Sequence, residues 1–160
     1  MRIERETFKY YFTSYNSPIW DCPSCLKGKI HFEEKEITTF ETNKSRKDKE
    51  SDEWEPYYIR KHFVGKMQCN GKKYTEIFSI AGLINVEEDY EEDGSSAYTE
   101  CFYPKHIYPI IHIFSLPDEI PDEVKEIVLD SFKLFWMDKS SCANAIRTAV
   151  KAILNDKKIV

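Results

Sequence analysis

The stretch Cys22-Pro23-Ser24-Cys25 decides the fold, because two thiols two residues apart on a tight turn can bind one metal ion. A third thiol, Cys69, follows much later, in the stretch Phe63-Val64-Gly65-Lys66-Met67-Gln68-Cys69-Asn70. Structural zinc sites take four cysteine or histidine ligands, and no such residue comes shortly after Cys69. The sequence therefore predicts a degenerate zinc-ribbon-like element in which the three sulfurs converge and a fourth ligand is missing.

Two residues from other strands are candidates for the missing zinc ligand. His62 lies in the strand-like run from Tyr57 to Val64, and Cys101 belongs to a later one. Either side chain has a donor atom that zinc accepts. The alternative is that Cys22 and Cys25 are free thiols on a turn and Cys69 is simply buried. Zinc is the cofactor that the pattern predicts.

The composition is typical of one globular unit. The chain has 160 residues, a formal net charge of −5 and 41% hydrophobic residues, enough to form a core. The acidic balance argues against broad nucleic-acid binding. The charged amino terminus and the lack of long apolar runs predict a cytoplasmic protein with no signal peptide or membrane span. In that compartment an odd count of 5 cysteines favours metal ligands or free thiols over disulfides.

The hydrophobic pattern changes from strand-like to helical near Leu116. Residues 1–116 alternate in short runs rich in branched and aromatic side chains, which predicts a β-rich, zinc-ribbon-like part. Between Glu41 and Glu55 a run of mixed charge has little to bury and predicts a solvated loop. Residues 117–160 have apolar residues at three-four spacing, which predicts a helical hairpin. The expected fold class is α+β, in one compact unit.

The predicted hairpin also indicates a partner. Ser140 or Ser141 is expected to cap its second helix. Trp136 and Leu129 lie off the seam between the two helices and would stay exposed on a hairpin alone. We therefore expect the sheet, another protein or a second copy of the chain to cover them, with a symmetric dimer through the helices favoured.

A weaker pattern indicates a nucleic-acid surface. Aromatic and basic side chains alternate at Tyr58, Arg60 and Lys61, and Lys72 and Lys73 follow. Zinc ribbons can bind nucleic acids through such residues, by base stacking and phosphate contacts. The competing interpretation is an ordinary strand with its aromatic residues inward and its charges outward.

Several of these residues together resemble a prokaryotic family known as domain of unknown function 4145. The resemblance rests on short motifs spread from Trp20 to Leu154: Trp20-x-Cys22-Pro23-x-Cys25, Phe63-x-Gly65-x-Met67-x-Cys69-Asn70, Glu76, Gly82, Tyr103-Pro104, Pro109, Leu116-Pro117, Ile120-Pro121, Ala143, Ala145 and Arg147. It implies a degenerate zinc ribbon followed by helices similar to the HEPN class of nucleotide-binding and ribonuclease domains. Family members look like accessory or sensing modules in bacterial defence systems.

The sequence departs from that family where catalysis would occur. A HEPN-type ribonuclease needs an arginine followed a few residues later by a histidine, and no histidine follows Arg147. The helical bundle is also about half built at Val160, so we expect either a fragment or a chain that completes its bundle by pairing. No catalytic residue is predicted.

The expected function is therefore a non-catalytic interaction or sensing module, an accessory domain in a bacterial or phage-related defence system. The alternative is a nucleic-acid-binding or HEPN-like ribonuclease module whose active residues lie on a partner or on missing sequence.

Overall fold

An antiparallel sheet followed by two long helices forms the α+β fold that the sequence predicts. The computed structural model describes residues 8–71, 75–90 and 96–156. The strands are β1 (Ile19–Asp21), β2 (Lys29–His31), β3 (Ile37–Glu41), β4 (Arg60–Cys69), β5 (Ile77–Tyr90) and β6 (Ser96–Tyr108). The helices are α1 (Asn43–Asp48), α2 (Asp122–Met137) and α3 (Lys139–Asp156).

Strand β4 organises the sheet. One of its edges pairs with β5, and the other pairs with β3 along half of its length and with β2 at its end. The full order is β1-β2-β4-β5-β6, with β3 beside β4. Side chains along a strand alternate between its two faces, and on β4 Phe63, Met67 and Cys69 are buried while the residues between them are more exposed. This alternation places the Cys69 thiol on the core side of the sheet.

A glycine allows the long β5–β6 pair to bend. The pairing shifts register between Ala81 and Gly82, which marks a bulge. A Cβ atom on Gly82 would lie 2.2 Å from the carbonyl oxygen of Tyr103 and 2.7 Å from the Phe63 ring. Only glycine fits where the two backbones and this ring approach so closely.

The main core lies between the sheet and helix α2. Trp20, Phe63 and Phe102 are fully buried there, and Trp136 of α2 joins them with its ring 5.8 Å from that of Trp20. Of the coverings expected for Trp136, the structure shows the sheet, which packs against this side chain. Leu129 packs against a second apolar cluster between α2 and α3. The exposure of these two side chains no longer argues for a dimer.

Two local predictions were wrong. The first part of the charged run predicted as a loop forms α1, where the Thr42 side chain accepts the backbone N–H of Ser45 at 3.1 Å. The Ser45 hydroxyl donates to Glu41 and accepts the backbone N–H of Arg60, so β4 itself holds this helix in place. At α3 the cap is Asp138 rather than a serine, since its carboxylate accepts the backbone N–H of Ser140 at 2.9 Å.

A membrane-crossing helix would have to be both long and apolar, and no helix in the described ranges meets both requirements.

Candidate metal centre

Three sulfur atoms converge at one end of the sheet. The Sγ atoms of Cys22, Cys25 and Cys69 all lie within 4.8 Å of one another, and those of Cys25 and Cys69 are 3.6 Å apart. A tetrahedral zinc with bonds of ~2.3 Å to sulfur needs its thiolates about 3.8 Å apart. The predicted convergence is confirmed, and the spacing is close to that of a metal-binding set.

The turn between β1 and β2 presents the first two thiols. The N–H of Cys22 donates to the Gly28 carbonyl at 3.0 Å, which extends the strand pairing to the base of the turn. The N–H of Leu26 donates back to the Cys22 carbonyl at 3.0 Å. Leu26 has a φ of 55°, the left-handed conformation that reverses the chain here. The Cys25 sulfur then accepts the N–H of Gly28 at 3.2 Å.

The end of β4 presents the third thiol in a similar way. Cys69 pairs with Ile30 of β2, so it is held beside the first turn. Asn70 fixes the chain just beyond it, because its N–H donates to the Lys29 carbonyl and its side chain accepts the Lys29 N–H at 2.8 Å. The N–H of Gly71 donates to the Cys69 sulfur at 3.3 Å. Backbone N–H groups therefore point at sulfur from both turns, an arrangement that favours thiolates.

Gly28 keeps the space between the two turns open. A Cβ atom there would lie 2.3 Å from the Cys69 sulfur, 3.1 Å from the Cys25 sulfur and 2.9 Å from the backbone nitrogen of Gly71. The sulfurs can approach one another because this residue has no side chain.

The surroundings shift the pKa values of two of the thiols in opposite directions. Hydrogen bonds from the backbone N–H groups of Lys27 and Gly28 lower the pKa of Cys25 to about 7. Burial raises the pKa of Cys69 to about 11. Metal ligation requires the thiolate form, so binding at this site would release protons at neutral pH.

Neither predicted fourth ligand reaches the centre. His62 lies seven positions before Cys69 on the same strand, which at ~3.3 Å per residue places them roughly 23 Å apart. Cys101 pairs with Asn85, and Asn85 pairs with Arg60 at the opposite end of β4. The expectation for both residues was wrong, because sheet register separates them from the cluster.

A carboxylate lies beside the sulfurs instead. The Oε2 atom of Glu76 is 3.9 Å from the Cys22 sulfur. A cavity of about 290 Å³ lies beside the sulfurs, and it is lined by Cys22, Ser24, Cys25, Thr75 and Glu76. In the sequence, Glu76 belongs to the motifs that carry the family resemblance and to no predicted site. Its position opposite Cys69 follows from strand register, which no local sequence pattern shows.

Three residues of the predicted nucleic-acid surface, Tyr58, Arg60 and Lys61, lie at the opposite end of β4 from this centre. Tyr58 is exposed just before β4, and the Arg60 guanidinium donates to the carbonyls of Tyr57 and Ile59. The Lys61 ammonium is paired with the Glu100 carboxylate. The two basic residues of this patch that the structure describes, Arg60 and Lys61, are therefore already engaged within the chain. Lys72 and Lys73 lie outside the described residues, so nucleic-acid binding stays a prediction.

Arg147 has a local role in the structure. Its guanidinium donates to the Asn144 side chain one turn earlier on α3, at 2.8 Å, and both residues are exposed. This contact is the surface interaction expected of a helix arginine.

These features define an α+β protein with a candidate three-cysteine metal site at one end of its sheet. The chain belongs to DUF8608, a family defined by a domain of unknown function, whose model matches residues 10–107. That match covers more than half of the chain and includes the three cysteines and Glu76. The match supports a family of unknown function but not domain of unknown function 4145, the family that the sequence motifs predicted. No curated protein and no solved structure matches the chain.

Proposed function

We propose that this protein is a zinc-stabilised, non-catalytic interaction or sensing module. The observation that carries the proposal is the convergence of three thiols from two distant segments, within 4.8 Å of one another. Thiolates are soft ligands that select zinc over magnesium or calcium. Backbone N–H groups point at two of the sulfurs, and this favours thiolates that bind one metal over free thiols with no shared role.

The metal would stabilise the fold by linking two distant segments of the chain. Cys22 and Cys25 lie on the β1–β2 turn, while Cys69 ends the strand that organises the whole sheet. A zinc ion bound by all three would tie a short edge hairpin to the central strand. Structural zinc contributes directly to folding free energy, so the metal-free chain would be less stable.

The non-catalytic part of the proposal is supported by Arg147. In the proposed ribonuclease alternative this arginine would work with a histidine, but its helix contains none and the guanidinium bonds to Asn144. The setting in bacterial or phage-related defence, with another protein or a second copy as partner, rests on the sequence resemblance to family 4145.

Metal content tests the proposal. The full chain, purified under reducing conditions, should contain about one zinc per molecule by elemental mass spectrometry. Cys22→Ser, Cys25→Ser and Cys69→Ser should each lower that content strongly and lower the melting temperature. Cys142→Ser is the matched control, because this thiol lies on α3 away from the cluster and should leave both values unchanged.

Zinc removal by a chelator should lower the melting temperature of the unmutated chain, and added zinc should restore it. A chain that takes up no zinc under anaerobic reconstitution, with a melting temperature indifferent to zinc and chelator, would refute the zinc-stabilised module.

A further inference from the structure

The carboxylate of Glu76 is fixed beside the three thiols by the sheet itself. Gln68 pairs with Ile77 across β4 and β5, and the next residue pair in that register is Cys69 with Glu76. The N–H of Cys69 donates to the Glu76 carbonyl at 3.0 Å, which confirms this pairing. Residues directly opposite each other on neighbouring strands project to the same face, with Cβ atoms about 4.5–5.5 Å apart. Glu76 therefore faces the same space as the Cys69 thiol.

The side chain of Glu76 extends toward the sulfurs rather than toward a positive charge. Its Oε2 atom is 3.9 Å from the Cys22 sulfur. Within the described part of the chain, no lysine or arginine forms an ion pair with it. Glu76 is half-buried, and the Cys22 thiol donates to its carboxylate, so a cation bound by both groups would take the place of this contact.

From this arrangement we propose that Glu76 is the fourth protein ligand of the metal centre, giving a three-thiolate, one-carboxylate zinc site. The inference rests on the proposed zinc binding by Cys22, Cys25 and Cys69, and it identifies the group that completes the set. Three thiolates and one carboxylate carry the same formal charge as the four thiolates of a complete ribbon. A carboxylate in place of the fourth thiolate therefore leaves the formal charge of the site unchanged.

The distances agree with this assignment. In a tetrahedral site with Zn–S of ~2.3 Å and Zn–O of ~2.1 Å, sulfur and oxygen ligands lie about 3.6 Å apart. The observed separation of 3.9 Å from the Cys22 sulfur is close to that value. To bind, the carboxylate must turn toward Cys25 and Cys69 as well. The cavity of about 290 Å³ that Glu76 lines with Cys22 and Cys25 leaves room for this rotation.

The segment that would hold the fourth ligand of a complete ribbon does not compete. The residues between Cys69 and Thr75 are Asn70, Gly71, Lys72, Lys73 and Tyr74, none of which is a usual zinc ligand. Carboxylate oxygen is one, at about 2.0–2.2 Å from zinc.

Three substitutions test the assignment on the full chain. Glu76→Gln keeps the shape and removes the charge, and Glu76→Cys offers a fourth thiolate. Glu34→Gln is the matched control, because Glu34 is an exposed glutamate on the short 3-10 turn before β3. Zinc affinity is measured by competition with a chromogenic chelator, and the ligand set by cobalt(II) absorption and by X-ray absorption of the zinc-loaded protein.

We expect Glu76→Gln to weaken zinc binding at least about tenfold, which is the lower end of the loss seen when even outer partners of a ligand are removed. Glu76→Cys should restore affinity and raise the thiolate-to-cobalt charge-transfer intensity by about one third, as three thiolates become four. The unmutated protein should show three sulfur neighbours and one oxygen neighbour around zinc, and Glu34→Gln should match it.

Two results overturn the assignment in different ways. If the unmutated chain binds zinc, but Glu76→Gln binds it equally well and Glu76→Cys keeps a three-thiolate spectrum, then Glu76 is not a ligand and the proposed zinc site stands. If the unmutated chain binds no zinc, both this assignment and the proposed function are refuted.

Discussion

Replacing Gly28 by alanine should disrupt the proposed metal centre more than an alanine substitution at a neighbouring exposed residue. The added Cβ would lie 2.3 Å from the Cys69 sulfur, whereas non-bonded heavy atoms normally stay at least about 3.5 Å apart. The sulfur must therefore retreat by roughly 1.2 Å. The other close neighbour is the backbone nitrogen of Gly71, at 2.9 Å, which cannot rotate away as a side chain can.

That displacement is large compared with what a metal site tolerates. Ligand distances in zinc sites stay within about 0.2 Å of their usual values, so a shift near 1 Å should remove Cys69 from the ligand set. Overpacking of this kind also costs about 1–3 kcal/mol of folding free energy. For a chain of this length, about 2 kcal/mol corresponds to a fall of roughly 4–8 °C in melting temperature.

The assay combines thermal unfolding by circular dichroism with zinc competition against a chelator. Lys27→Ala is the control, because Lys27 is exposed next to Gly28 and its backbone N–H to Cys25 is retained. We expect Gly28→Ala to melt lower and to bind zinc at least about tenfold more weakly, with the control unchanged. If the two variants behave alike in both measurements, the close approach that we assign to Gly28 is not required.

Two further predictions concern the core and the thiols. Trp136→Ala should lower the free energy of unfolding by about 3–5 kcal/mol in urea titrations, because it removes a buried ring packed on Trp20. The control is the exposed neighbour, since Met137→Ala should change the free energy of unfolding by less than ~0.5 kcal/mol. Equal effects of the two substitutions would contradict the packing. In the metal-free protein, a brief iodoacetamide pulse read by mass spectrometry should label Cys25 with a midpoint near pH 7, since its pKa is lowered to about 7 and the reactive thiolate forms above that value. Burial raises the pKa of Cys101 to about 11, so it should stay unlabelled there; equal labelling of both thiols would show that the backbone N–H groups do not act on Cys25.

Local sequence determined the parts of this protein that depend on short spacing. Cys22 and Cys25 share one turn because only two residues separate them, and the alternation along β4 gave Cys69 its inward direction. The three-four pattern after Leu116 was enough to predict the helical hairpin, since an amphipathic stripe is a property of the helix alone.

Tertiary structure decided everything that depends on which distant segments meet. Helix α1 lies in a charged run and is joined to β4 through the Ser45 hydroxyl, which accepts the N–H of Arg60, a bond that no local pattern shows. His62 and Cys101 have donor atoms that zinc accepts, which made them candidate ligands beside Cys69. Strand register places both at the other end of the sheet. The same register brings Glu76 opposite Cys69. Strand register is set by long-range pairing and core packing, so the three thiols could be read from the sequence while the group that faces them could not.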